Sequence, residues 1–226
     1  MRASGILMPI SSLPSPYGIG TMGAAARSFV DFLVKAGQAY WQILPVCPTS
    51  YGDSPYQSFS TFAGNPYFID LDDLAKQGLL LPEEYASIDW ECTPDCINYG
   101  VMYEKRYAVL RCAAKRLLAK PGADYRRFVK ENDFWLPDYA LFMALKDAHN
   151  GACWLEWEEP LRRREPAALA AARRREPAAH RGGRLPAGRL LRHRPAVGQP
   201  AVRLGLHGQD RLRMVGAAHQ THVQHL

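Results

Sequence analysis

GILMPISSLPSPYGIGTMGAAARSFVDFLVKAGQAYWQILPV, residues 5–46, decides the fold class. It opens with Gly5-Ile6-Leu7-Met8, a short apolar run that ends at Pro9 as a buried strand does. A loop rich in Ser, Pro and Gly follows from Ser11 to Gly23. From Ala24 the residues Phe29, Val30, Phe32, Leu33 and Ala36 recur at helical spacing, with Thr21 as a possible cap before them and Gly37 as a stop after them. Tyr40 to Val46 is again short and largely apolar. A helix crossing between two buried strands implies an α/β fold with a parallel sheet covered on both faces, either a doubly wound sheet or a (β/α)8 barrel. Both architectures put their sites at the C-terminal ends of strands, so the connections after Leu7 and Val46 are the places to inspect.

Outward from this unit the composition divides. Residues 1–81 hold the first strand and helix units, and residues 82–160 turn mainly helical. Tyr103, Tyr107, Leu110, Leu117 and Leu118 fit one amphipathic helix, Tyr125 and Phe128 begin another, and Phe134 to Leu145 reads as a third, interrupted by Pro137. Residues 161–226 contain fourteen arginines against three acids, a surplus of eleven positive charges, while residues 1–160 carry a net charge of −5. All 24 aromatic residues precede residue 161. A tail so poor in large apolar side chains cannot offset its ordering entropy, so it is expected to be irregular or disordered. The basic balance of the whole chain is therefore a property of this tail and says nothing about the partners of the rest. Five cysteines without C-x-x-C spacing read as reduced thiols, with no metal site. No signal peptide or membrane span is visible, and the expected location is cytoplasmic.

Chemistry concentrates in TSYGDSPYQSFSTFAGNPYFIDL, Thr49 to Leu71, directly after the second expected strand. Its tyrosines, hydroxyls, Gln57 and Asn65 offer flat apolar faces beside neutral donors and acceptors, which is what an uncharged sugar ring needs. On composition alone a Gly/Pro-rich turn with core aromatics fits as well. Asp53 and Asp70 are the carboxylates here, and both read as loop-fixing or capping residues.

Gly52 to Leu71 resembles the N-terminal motif of the 4-alpha-glucanotransferases, the amylomaltases or disproportionating enzymes of glycoside hydrolase family 77. Gly5-Ile6-Leu7, Ser12 to Gly20, YWQILPV (Tyr40 to Val46) and Trp135 to Lys146 resemble the same family in the same order, over residues 1 to about 173. The resemblance implies a (β/α)8 barrel, here incomplete, with a helical insertion. It also implies a cofactor-free enzyme that transfers an α-1,4-glucan segment to the 4-hydroxyl of another glucan by a retaining double displacement. Carried over by motif, Ser54 and Tyr56, with Gln57 as a weaker assignment, lie near the donor sugars. Tyr51 and Tyr103 resemble an aromatic pair at an outlying glucan site. The family's nucleophile and acid/base lie in R-I-D-H-F and A-E-D-L-G strings that do not occur here, so no catalytic residue is assigned and the chain is expected to be inactive alone.

The tail also reads as out-of-frame translation. Every Met codon is ATG and every Val codon begins with G, so Met214-Val215 read one nucleotide later gives Trp. The same shift permits G-N-P-L-Y-D-W over Gly198 to Gly205 and R-R-T-F-S-I-Y over Gln220 to Leu226, both similar to family segments. Three functions therefore compete. The first is a glucanotransferase fragment whose partners are α-1,4-glucans, with neither nucleic acid nor membrane. The second is a non-catalytic glucan-binding module, and the third, weakest, an Arg-rich nucleic-acid arm.

Overall fold

β1 (Gly5–Leu7) and β2 (Tyr40–Gln42) run parallel, with Ile6 opposite Trp41, and α1 (Ala24–Lys35) connects them. The computed structural model describes residues 3–175 and 201–203, the latter as backbone only. The rest of the arginine-rich tail, with the frame-shifted readings at Met214-Val215, Gln220 to Leu226 and most of Gly198 to Gly205, lies outside the described residues. α1 sets Phe29 edge-on to Trp41, ring centroids 5.0 Å apart, and buries Ala26 and Leu33. The Trp41 indole N–H donates to the Met8 carbonyl at 2.8 Å, which ties the end of β1 to β2 through a side chain.

Both strands are shorter than their apolar runs. β2 stops at Gln42, short of Val46, where Pro45 has no amide to offer a ladder. The expectation of buried strands fails: all three residues of β1 are exposed, where among the described residues no strand pairs with its outer edge, and β2 buries only Trp41. β3 (Ala201–Arg203) pairs antiparallel with β2. Thr21 does not cap α1; Gly23 holds that position, and Thr21 donates instead to Asp70.

A 3-10 turn over Pro66–Phe68 and α2 (Leu71–Lys76) carry the chain onward through a run of buried residues, Asn65 to Ile69, then Leu71 and Leu74. Tyr17 and Tyr85 both donate to Asp72 Oδ1 at 2.8 Å and meet edge-to-face at 5.1 Å, so one carboxylate fastens the Ser/Pro-rich loop to the segment after α2. Burial, followed by that carboxylate, pushes the Tyr17 phenol up to about 12.

α3 (Tyr99–Val101), capped by the Asn98 side chain, leads through a π turn over Met102–Arg106 into α4 (Tyr107–Ala119). Arg106 takes a fully buried position on this path. Its guanidinium donates to the carbonyls of Tyr17 and Ile69, 3.1 and 2.5 Å away, and its Cζ lies 5.9 Å from the Trp90 ring centre. Burial lowers it to about 10, so it remains protonated at neutral pH, with Asp70 opposing the shift.

The described residues form two compact units, one of residues 3–107 with 201–203 and one of residues 108–175. The second holds α5 (Ala123–Glu131), α6 (Leu136–Ala148), α7 (Glu159–Arg162) and α8 (Pro166–Arg175). Pro137 lies in the first turn of α6, where no intrahelical donor is needed, and starts the helix rather than interrupting it. α8 corrects the expectation of an irregular tail from residue 161. Its Ala, Leu and Arg content favours helix, and Leu161, Leu169 and Ala172 join a core that Leu141, Leu145 and Trp157 provide. The segment has few large apolar residues of its own, and they pack against those of α6 and Trp157. His149 closes this unit: its ring stacks on Trp157 at 5.0 Å, Nδ1 lies 2.7 Å from the Leu145 carbonyl and Nε2 3.0 Å from Glu158.

Candidate functional site

The connection from β2 to α2 begins and ends at a single hydrogen bond, Asn65 N–H to the Val46 carbonyl at 2.7 Å. Between these feet the chain satisfies itself locally. Asp53 N–H donates to Ser50 O and Gln57 N–H to Ser54 O, both at 3.1 Å, and Ser50 N–H to Gln57 O at 3.0 Å closes the two turns onto each other. The sequence dictates this shape: Gly52 at φ 89° and Asp53 at φ 54° take left-handed conformations that Gly and Asp tolerate, and Pro55 presets the second turn. Farther on, the Ser60 hydroxyl accepts from the amides of Phe62 and Ala63, at 3.3 and 3.1 Å. Asn65 caps the 3-10 turn through the Tyr67 amide at 3.0 Å.

The double turn gathers four of the expected residues. Ser54 is half-buried and its Oγ accepts from Tyr56 N–H at 3.3 Å, which leaves the hydroxyl proton to donate elsewhere. Tyr51 is 99% exposed, Tyr56 73%, and Gln57 is exposed with its main chain already engaged. Tyr103, 62% exposed on the π turn, comes from a different element. It packs edge-on against Tyr107 at 5.6 Å, Tyr107 meets Tyr67 at 5.6 Å, and Tyr67 meets Tyr99 at 6.1 Å. Tyr51 and Tyr103 do not touch, but Asp53 and Tyr103 both lie within electrostatic reach of Tyr67.

Electrostatics separate the two carboxylates. Asp70 is fully employed: Oδ2 accepts from the Thr21 hydroxyl at 2.6 Å and Oδ1 from the Asp73 amide at 2.9 Å, capping α2. A Cβ on Gly23 would collide with this carboxylate, so the approach depends on glycine. Asp53 is held above the usual carboxylate range by burial, against a Thr49 hydroxyl at 3.4 Å that favours its charged form. Burial first, then Tyr107 and Asp53, pushes the Tyr67 phenol far up, and burial with Asp53 raises Tyr99, so both remain neutral donors. Burial also raises the Cys47 thiol, which makes it a weak nucleophile. Among the described residues no group of three or more His, Cys, Asp or Glu converges to hold a metal.

The tyrosine file Tyr67, Tyr99 and Tyr107 went unassigned from sequence, although the spacing of residues 99, 103 and 107 puts one ring per helical turn on one face. No sequence signal marked Arg106 as buried.

Three comparisons bear on this arrangement. The family model described as 4-alpha-glucanotransferase matches residues 8–181. A 4-alpha-glucanotransferase of Clostridium butyricum is 49% identical over 158 residues, which is 70% of this chain and 32% of the relative. One of Thermus thermophilus is 46% identical over 176 residues, 76% of this chain and 34% of the relative. Among solved structures, the amylomaltase of Streptococcus agalactiae in complex with acarbose superposes with a TM-score of 0.76 and 41% identity, covering 82% of this chain and 38% of its own. The chain thus spans about a third of the length of the curated relatives it matches.

Proposed function

This chain belongs to the 4-alpha-glucanotransferase family, and we propose that its β2–α2 connection binds α-1,4-glucan for that activity. The observation that carries the reading is the self-satisfied double turn at Ser50–Gln57, which turns the Tyr51 and Tyr56 rings and the Gln57 amide outward. Tyr51 and Tyr56 offer stacking faces for the C–H side of glucose, while the Ser54 hydroxyl and the Gln57 amide offer donors and acceptors to its hydroxyls. Tyr103 provides a further face beside the tyrosine file. The acarbose bound by the Streptococcus agalactiae amylomaltase supports a carbohydrate ligand.

We take β1, α1 and β2 as the opening unit of a (β/α)8 barrel, with the helices after residue 82 as an insertion. The parallel pairing of β1 with β2 and the 0.76 TM-score support this. The connection then leaves the C-terminal end of a barrel strand, the face on which barrel sites are built.

In a retaining transfer one carboxylate attacks the anomeric carbon, a carboxylic acid protonates the leaving oxygen, and an acceptor hydroxyl takes the place of water in the second step. Asp70 supplies neither group, because a cap and Thr21 occupy both its oxygens. The part of this chain is to hold and orient the donor glucan, with the two reactive carboxylates coming from elsewhere in the family's fold. Binding without chemistry follows: the chain is retarded in a native gel containing amylose, and it forms no longer maltooligosaccharides from maltotriose. Longer products would overturn the second half, and unretarded migration the first. The exposed Tyr51, Tyr56 and Tyr103 rings also fit a second reading, a glucan-binding module with no transferase role, which predicts the same two results. Adding a separately expressed remainder of the Clostridium butyricum relative separates them, because only the transferase reading predicts recovered transfer.

A further inference from the structure

Between Val46 and Leu71 the chain has two carboxylates, and the fold employs only one of them. Asp70 is spent on the α2 cap and on Thr21. Asp53 receives a single long hydrogen bond, 3.4 Å from Thr49 Oγ1, near the limit of what counts as one, and among the described residues it makes no ion pair. Its backbone stands in the left-handed region directly after Gly52, so the turn holds a carboxylate at a position that glycine or asparagine would fill with less strain. From the other elements packed near it, Tyr67 on the 3-10 turn and Tyr99 on α3 face it electrostatically, and no cation is among the groups that act on it. A half-buried carboxylate with at least one oxygen uncommitted, beside exposed tyrosines and without a counter-charge, is an acceptor awaiting donors.

We infer that Asp53 is a sugar-binding residue: its carboxylate accepts hydrogen bonds from two neighbouring hydroxyls of a glucose unit stacked on the exposed Tyr51 ring. The inference rests on the glucan reading proposed above and adds to it the group that orients the sugar. Stacking holds a pyranose against a ring face but leaves it able to rotate in that plane. A carboxylate engaging two adjacent hydroxyls removes that freedom, and hydrogen bonds to a charged acceptor are roughly twice as strong as neutral ones. The same contact selects sugars whose adjacent hydroxyls both lie near the ring plane, as those of glucose do.

The test is calorimetric titration of the full chain with maltoheptaose, comparing wild type, Asp53→Asn, Asp53→Gly and Tyr51→Ala. Asparagine and glycine both accept the left-handed backbone, so the thermal midpoint should hold in each Asp53 variant. Both are expected to bind about tenfold more weakly, the scale of a charge-assisted contact. Wild-type affinity is expected to fall as the pH is lowered and Asp53 takes up a proton, while the Asp53→Asn variant stays flat over the same range. If both Asp53 variants bind like wild type while Tyr51→Ala loses binding, the inference fails and the glucan site stands. If the wild type binds no maltoheptaose, both fall. A lowered midpoint in both variants, or pH dependence surviving in Asp53→Asn, marks Asp53 as structural and also overturns the inference.

Discussion

The β2–α2 connection contrasts its tip with its foot. At the foot, Asn65, Tyr67, Ile69 and Asp70 are buried or fully hydrogen-bonded, and Arg106 reaches in to take the Ile69 carbonyl. At the tip, Ser50–Gln57 fold on their own main chain and turn Tyr51, Tyr56 and Gln57 to solvent. The difference separates anchoring from display: side-chain chemistry at the foot is consumed by the fold, and that at the tip is left for a ligand. A substitution at the foot should therefore cost stability and binding together, whereas truncating an outward side chain at the tip should cost binding alone.

The strongest way to break that division is Asp70→Ala. It removes the α2 cap, the Thr21 bond and a carboxylate that favours the charged form of buried Arg106, for an expected loss of about 2–4 kcal/mol in urea unfolding. Amylose retardation is expected to weaken with it. An Asp70→Ala chain that is equally stable would dissolve the distinction. Tyr51→Ala is the converse, with at least about a tenfold loss of amylose affinity and an unchanged unfolding midpoint, since a side chain at 99% exposure contributes no core. Gly52→Ala tests the tip's backbone. A Cβ there meets nothing within 4 Å, so the cost is that of φ 89° alone, about 1–2 kcal/mol, with affinity reduced as the double turn loosens.

The smallest expected effect lies in the other unit and serves as the control. The Leu145 carbonyl first, then Glu158, raises the His149 imidazole above its ordinary value. A raised folded-state value contributes stability that is fully present below the unfolded value, about 6.5, and lost as the pH rises through the folded one. The thermal midpoint of residues 108–175 should therefore decline as the pH is raised from about 6 to 8. His149→Gln should flatten that decline and leave amylose binding untouched. A binding change in that variant would couple regions that the structure describes as separate units.

Local chemistry was what the sequence made legible. Alternation of apolar runs with a helical period located β1, α1 and β2, because each element's pattern is written in its own residues. The sequence marked Ser50–Gln57 only as part of a Gly/Pro-rich loop, although Gly52, Asp53 and Pro55 prescribe the double turn residue by residue. What depended on distant partners was not legible. Arg106 is buried because two carbonyls, one 89 residues earlier in the chain, await it. Asp72 gathers Tyr17 and Tyr85 from opposite sides in sequence. α8 escaped notice because its few apolar residues are adequate only against the core of α6. Asp53 and Asp70 looked alike as loop acids, and only their partners told them apart.

The most direct measurement is amide hydrogen exchange of the full chain with and without maltoheptaose. The account predicts slowed exchange confined to residues 50–57 and to the tyrosine-bearing turn at 99–107, with the foot already protected in both states. Protection appearing in residues 108–175 instead, or nowhere, would contradict it.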